Sequence, residues 1–145
     1  MSIIKPNKTT QNGFSLIEVM VAVFVLAIGL LGIAGLQIAS LKSNHSAQLR
    51  TEAVVHIYGI IDRMRINKLV AKAGGYDIAA ASPNSGSVVD DDWQAWKTAI
   101  AASLPAGKGT IVTAVDGVTT ITVQWYDSNG LSGSNTRSFS MSTEL

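Results

Sequence analysis

Cysteine is absent from the 145 residues. That excludes a disulfide framework, thiol nucleophiles and thiolate metal sites, while leaving the redox compartment open. Histidine is nearly as scarce, with only His45 and His56. On one helix these two would lie about 16 Å apart along the axis, too far to share a metal ion, and both are expected to face solvent. Charge is also thin: 14% of the residues are Asp, Glu, Lys or Arg, and the formal net charge is +1. A balance so close to neutral sets up no field that would draw in a polyanion. Asp90-Asp91-Asp92 lacks the ligand spacing and the closing Glu of an EF-hand loop, so helix capping explains it better than calcium. Gly29-x-x-Gly32-x-x-Gly35 lies inside an apolar run and not between a strand and a helix, which excludes a phosphate-binding loop. No convergent set of nucleophile, base and acid is left for an enzyme. No catalytic residue, metal or cofactor is therefore expected.

What is present is an uneven distribution of apolar residues. They make up 47% of the chain, and the deficit of charge falls in its first third. Residues 1–12, "MSIIKPNKTTQN", carry Lys5 and Lys8 and no acid; Val19 to Leu41 then runs for 23 residues without a charge. As a helix that run is about 34 Å long, enough for a hydrocarbon core of about 30 Å. The basic flank predicts that residues 1–12 stay in the cytoplasm and that the rest is exported. A secretory signal would be shorter and would end in a small-residue cleavage site. Here the change from polar to apolar comes before the run, at Gly13-Phe14, with a carboxylate, Glu18, four residues further on. A cut at that point would leave the whole apolar helix in the mature chain.

Gly13-Phe14-Ser15-Leu16-Ile17-Glu18 resembles the prepilin motif of type IV pilins and type II secretion pseudopilins. "LAIGLLGIAGLQ" and "IIDRMRIN" further resemble the minor pilins known as type IV pilus modification protein, PilV. The resemblance covers residues 8–67 or so and fades beyond them. It implies cleavage between Gly13 and Phe14 by a prepilin peptidase, N-methylation of Phe14, and pairing of Glu18 with the terminal amine of an adjacent subunit. It also implies a non-enzymatic minor pilin of the inner membrane, head in the periplasm, incorporated into a type IV pilus with other minor pilins and the major pilin. A minor pseudopilin of a type II secretion system follows the same N-terminal rules and is the alternative. Where major pilins commonly carry a Pro in the apolar helix, this chain has Gly29, Gly32 and Gly35, each costing about 1 kcal/mol relative to Ala. They make either a weak point in the helix or a surface on which neighbouring helices approach closely.

Beyond Leu41 the pattern turns amphipathic. Leu49, Ala53, Ile57, Ile60 and Met64 share one face, opposite Glu52, His56, Gly59 and Arg63, and no helix breaker arrives before Gly74-Gly75. One helix from about Phe14 to Ala73, roughly 90 Å long, is predicted. Residues 74–90 read as a loop. Asp91-Asp92 then precede a short helix, "WQAWKTAIAASL", with Trp93, Trp96 and Ile100 as a core stripe, ended by Pro105 and Gly107. After Gly109 the period becomes two. "TIVTAV" and "VTTITVQWY" flank Asp116-Gly117, a two-residue hairpin signal, and "TRSFSMST" makes a third strand, with Ile121, Val123 and Trp125 facing the long helix.

The expected architecture is an α+β fold of pilin type, a long N-terminal helix on a small antiparallel sheet of about three strands. Its parts are a leader, 1–13; a membrane-spanning or filament-core half-helix, 14–41; an amphipathic half, 42–73; and a globular head, 74–145. Arg63, Arg65, Lys68 and Lys72 form a basic helix end that suits the helix dipole and offers a contact to an acidic neighbour or to DNA. Loss of Lys5 and Lys8 would leave nine basic against ten acidic side chains, so nucleic acid is not an expected partner. A DNA- or surface-binding module displayed by the anchor is the remaining reading.

Overall fold

A computed structural model describes residues 13–77, 87–128 and 135–145. The leader residues 1–12, most of the predicted loop and most of the turn "DSNGLSGSN" lie outside the described residues. The elements are α1 (Leu16–Ile66), α2 (Lys68–Lys72), α3 (Val88–Ser103), β1 (Lys108–Thr113), β2 (Val118–Tyr126) and β3 (Thr136–Glu144). The fold is the α+β, pilin-like one: a long N-terminal helix packed on a small three-stranded antiparallel sheet. Two compact units divide the chain, Met1–Ala39 and Ser40–Leu145.

In the first unit the helix is apolar all round and exposed all round. Every large apolar side chain from Phe14 through Ile38 is open to its surroundings, as is Leu41 just beyond. An 18-residue window of α1 reaches a mean hydropathy of 2.8 with none of it buried, so α1 is long and apolar enough to cross a membrane. A Cβ added at Gly29, Gly32 or Gly35 would meet nothing within 4 Å, and α1 continues through all three.

In the second unit α1 becomes one wall of a core. Leu49, Ala53, Ile57, Ile60, Ile61 and Met64 are buried at helical spacing, against Trp96 and Ile100 of α3 and Ile111, Ile121, Val123 and Trp125 of the sheet. Full burial of each aliphatic side chain contributes about 1.5–3 kcal/mol. The helix does not run unbroken to Ala73. Asn67, at φ −109 and ψ 45, separates α1 from the short α2. The ladder is only locally disturbed, since Asn67 N–H still donates to Arg63 O (3.2 Å) and Ala71 N–H to Asn67 O (3.0 Å). After Ala73 the chain reverses through Gly74, at φ +76, with Gly74 N–H on Ala71 O and Gly75 N–H on Val70 O. This is a Schellman cap, whose left-handed position suits glycine.

Helix α3 starts at Val88, earlier than the acids suggest. Its cap is Ser87, whose hydroxyl accepts from Asp90 N–H at 3.3 Å. Asp90 and Asp91 therefore occupy the first turn, where the helix dipole favours them, and Asp92 lies within the helix. Trp96 and Ile100 are buried, while Trp93 of the expected stripe is only partly so. The Trp96 indole donates to His56 O at 2.9 Å, tying α3 to α1. The helix is capped by Leu104, and Leu104-Pro105-Ala106-Gly107 forms a turn closed by Gly107 N–H on Leu104 O (3.0 Å), with Ala106 at φ +51.

The strands form a meander in the order β1-β2-β3, antiparallel throughout, with Ile111 opposite Ile121 and Val123 opposite Phe139. Thr119, Ile121, Val123 and Trp125 alternate inward along β2. The β1–β2 connection is wider than a two-residue hairpin. Ala114 N–H donates to Val118 O and Gly117 N–H to Ala114 O, with Gly117 at φ +84, so Val115, Asp116 and Gly117 form a three-residue loop. The Asp116 carboxylate accepts from Val118 N–H at 3.0 Å, which holds the turn.

Candidate functional site

Gly13, Phe14 and Ser15 precede the first turn of α1. Ser15 starts the helix: its carbonyl accepts from Glu18 N–H (3.0 Å) and Val19 N–H (3.3 Å), and its hydroxyl accepts from Ile17 N–H (3.3 Å). Ser15 is thus the N-cap, and Glu18 occupies the third helical position, the spacing of a capping box. Ser15 has no role in the sequence-based expectations, although Ser-x-x-Glu before an apolar run is the signature of this one. A carboxylate in the first turn meets the positive end of the helix dipole, worth about 0.3–1 kcal/mol. Phe14, Glu18, Val19, Ala22, Val23 and Leu26 border one shallow groove, so the residue after the expected cut and the carboxylate share a helix face. Both are exposed.

The basic residues do not act as one patch. The Arg63 guanidinium donates to Asp92 Oδ1 at 2.9 Å, and Arg65 donates to Asp62 one turn back at 3.3 Å. Lys68 and Lys72 stand exposed on α2. Asp92 also accepts at Oδ2 from the buried Tyr76 hydroxyl, 2.8 Å away. Burial first, and then this bond to Asp92, raise the pKa of the Tyr76 phenol, while a hydrogen bond from Asn67 opposes the shift. One carboxylate of α3 therefore fastens both α1 and the segment after Gly74.

Of the histidines, His45 is exposed. His56 departs from expectation: it is half-buried, with Nε2 2.6 Å from Ser103 Oγ at the end of α3. Among the described residues no group of three or more His, Cys, Asp or Glu is placed to hold a metal ion. The aspartate triplet diverges, because Asp92 turns toward Arg63 and Tyr76.

No curated protein and no solved structure matches the chain. Residues 8–34 match the family model described as the prokaryotic N-terminal methylation motif. That stretch contains Gly13, Phe14, the Ser15 cap, Glu18 and the first turns of the exposed apolar helix. The chain carries a prepilin-type N-terminal methylation motif at the head of a helix able to span a membrane.

Proposed function

We propose that this protein is a minor pilin, processed by a prepilin peptidase and incorporated into a type IV pilus, where it takes part in assembly with other minor pilins and the major pilin. The observation that carries this reading is the methylation motif over residues 8–34, set directly on an exposed apolar half-helix. In this reading residues 1–13 are the leader, 14–41 hold the protein in the inner membrane and later in the filament core, 42–73 join that helix to the head, and 74–145 form the head in the periplasm. Cleavage between Gly13 and Phe14 leaves the Ser15 cap intact and creates a terminal amine on Phe14, which stays protonatable after methylation.

Glu18 then has a cation to meet. Pairing with the Phe14 amine of an adjacent subunit offsets the cost of a carboxylate among apolar helices, and breaking a buried pair of this kind costs about 3–5 kcal/mol. The pair acts as a register device during assembly. Lys68 and Lys72, exposed on α2, are available for a contact with an acidic neighbouring subunit, while Arg63 and Arg65 are engaged by Asp92 and Asp62.

Mass spectrometry of the mature N-terminus tests the reading. A chain beginning with methylated Phe14 is expected; an intact Met1 or a cut elsewhere overturns it. The same motif serves pseudopilins of type II secretion. A deletion strain that loses pili and keeps secretion supports the pilus assignment, and the reverse phenotype supports the pseudopilin.

A further inference from the structure

A cleft of about 420 Å³ lies between α3 and the start of the sheet, within the range of small-molecule sites. It is lined chiefly by Trp93, Lys97, Lys108, Thr110 and Gln124, with the backbone of Gly107. Two lysines line it, and among the described residues no aspartate or glutamate does. The Lys97 ammonium lies 4.0 Å from the centroid of the Trp93 ring, which restrains the charge at the rim. Lys108 is delivered by the Leu104–Gly107 turn, whose left-handed Ala106 is a strained position for alanine. Among the described residues neither lysine forms an ion pair.

Three of the lining residues, Lys108, Thr110 and Gln124, are exposed positions that alternate with inward residues of β1 and β2. Lys108 is opposite Gln124, and Thr110 is opposite Thr122, whose hydroxyl lies 2.8 Å from Ser140 Oγ. The next row repeats this arrangement, Thr120 to Ser142 at 2.9 Å. Hydroxyls and an amide both donate and accept, as the hydroxyls of a sugar require, whereas the lysines select negative charge.

We propose that this cleft binds an acidic saccharide, its carboxylate held between Lys97 and Lys108 and its hydroxyls by Thr110 and Gln124. The sugar body lies along the apolar side of the cleft beside Trp93. The proposal is independent of whether the N-terminus is processed.

Isothermal titration of the full chain in detergent micelles, with tetragalacturonate as the probe, tests it. Binding is expected for tetragalacturonate and not for a neutral galactose tetramer. Lys97→Gln and Lys108→Gln are each expected to weaken binding about tenfold or more, the scale of a lost charge-assisted hydrogen bond. Gln124→Ala is expected to weaken it less, and all three variants to keep the parental melting temperature. Absence of binding, equal binding of the neutral tetramer, or unchanged affinity in the Lys97→Gln/Lys108→Gln double variant would overturn the proposal. Equal binding of a tetraglutamate peptide would overturn the saccharide assignment.

Discussion

Replacing Asp92 by Ala removes one acceptor from two donors, and the two losses differ in kind. The Tyr76 hydroxyl is fully buried and would lose its acceptor at Oδ2. A buried donor left unsatisfied costs about 1–3 kcal/mol. The Arg63 side chain is 45% exposed, so water replaces much of what it loses, and its share is about 0.2–1 kcal/mol. Asp92→Ala is therefore expected to destabilise the fold by about 1–4 kcal/mol. The assay is chemical denaturation of the full chain in detergent, followed by tryptophan fluorescence, since Trp93, Trp96 and Trp125 all lie in or against the core. The decisive measurement is the double-mutant cycle with Tyr76→Phe. In that background no phenol remains to be stranded, so Asp92→Ala should cost less than about 1 kcal/mol. If the two substitutions add independently, the stranded phenol is not the source of the loss.

Other outcomes follow from single features. Ile57→Ala, at a fully buried position of α1, should lower stability by about 2–5 kcal/mol in the same denaturation assay. Gly109→Ala would press a Cβ into the Trp96 ring and should cost about 1–3 kcal/mol, with an altered Trp96 environment in near-ultraviolet circular dichroism. Because the Tyr76 phenol has a raised pKa when folded, its contribution is complete below about pH 10 and is lost as pH rises through the folded value. Stability measured between about pH 9 and 12 should thus fall less steeply in Tyr76→Phe. Glu18→Ala should still be cleaved after Gly13 yet be depleted from sheared pili on immunoblots; parental levels in pili would end the register role.

Periodicity makes most of the core legible: Leu49, Ala53, Ile57, Ile60 and Met64 of α1 and Ile121, Val123 and Trp125 of β2 are the positions their spacing selects, while Ile61 and Thr119 join them from beside and beyond that pattern. Features set by short polar contacts are harder to read. Asn67 breaks the helix although nothing in its neighbours' propensity forbids continuation, and its hydrogen bond to Tyr76 reaches a residue beyond the reversal at Gly74. Three consecutive aspartates point to a later start for α3 than the true one, because the cap is made by Ser87, inside a stretch rich in turn formers. Helical spacing alone puts His56 in solvent, since its partner, Ser103, is 47 residues away. At the candidate site the motif is plain in Gly13, Phe14 and Glu18, while the Ser15 cap is masked by the motif that contains it. The cleft beside Trp93 is invisible in sequence, since it joins residues of α3, β1 and β2 that no local pattern connects.

The sheet ends on β3, which among the described residues has a neighbouring strand on one side only. An open edge of this kind is a template on which another chain can polymerise. The strand's composition works against that: serines alternate with larger residues through "TRSFSMSTE", Arg137 stands near one end and Glu144 at the other. Phe139 and Met141 pack against the core and leave the serines outermost. In the proposed filament, where copies of this sheet would lie close together, such a composition works against strand-to-strand growth.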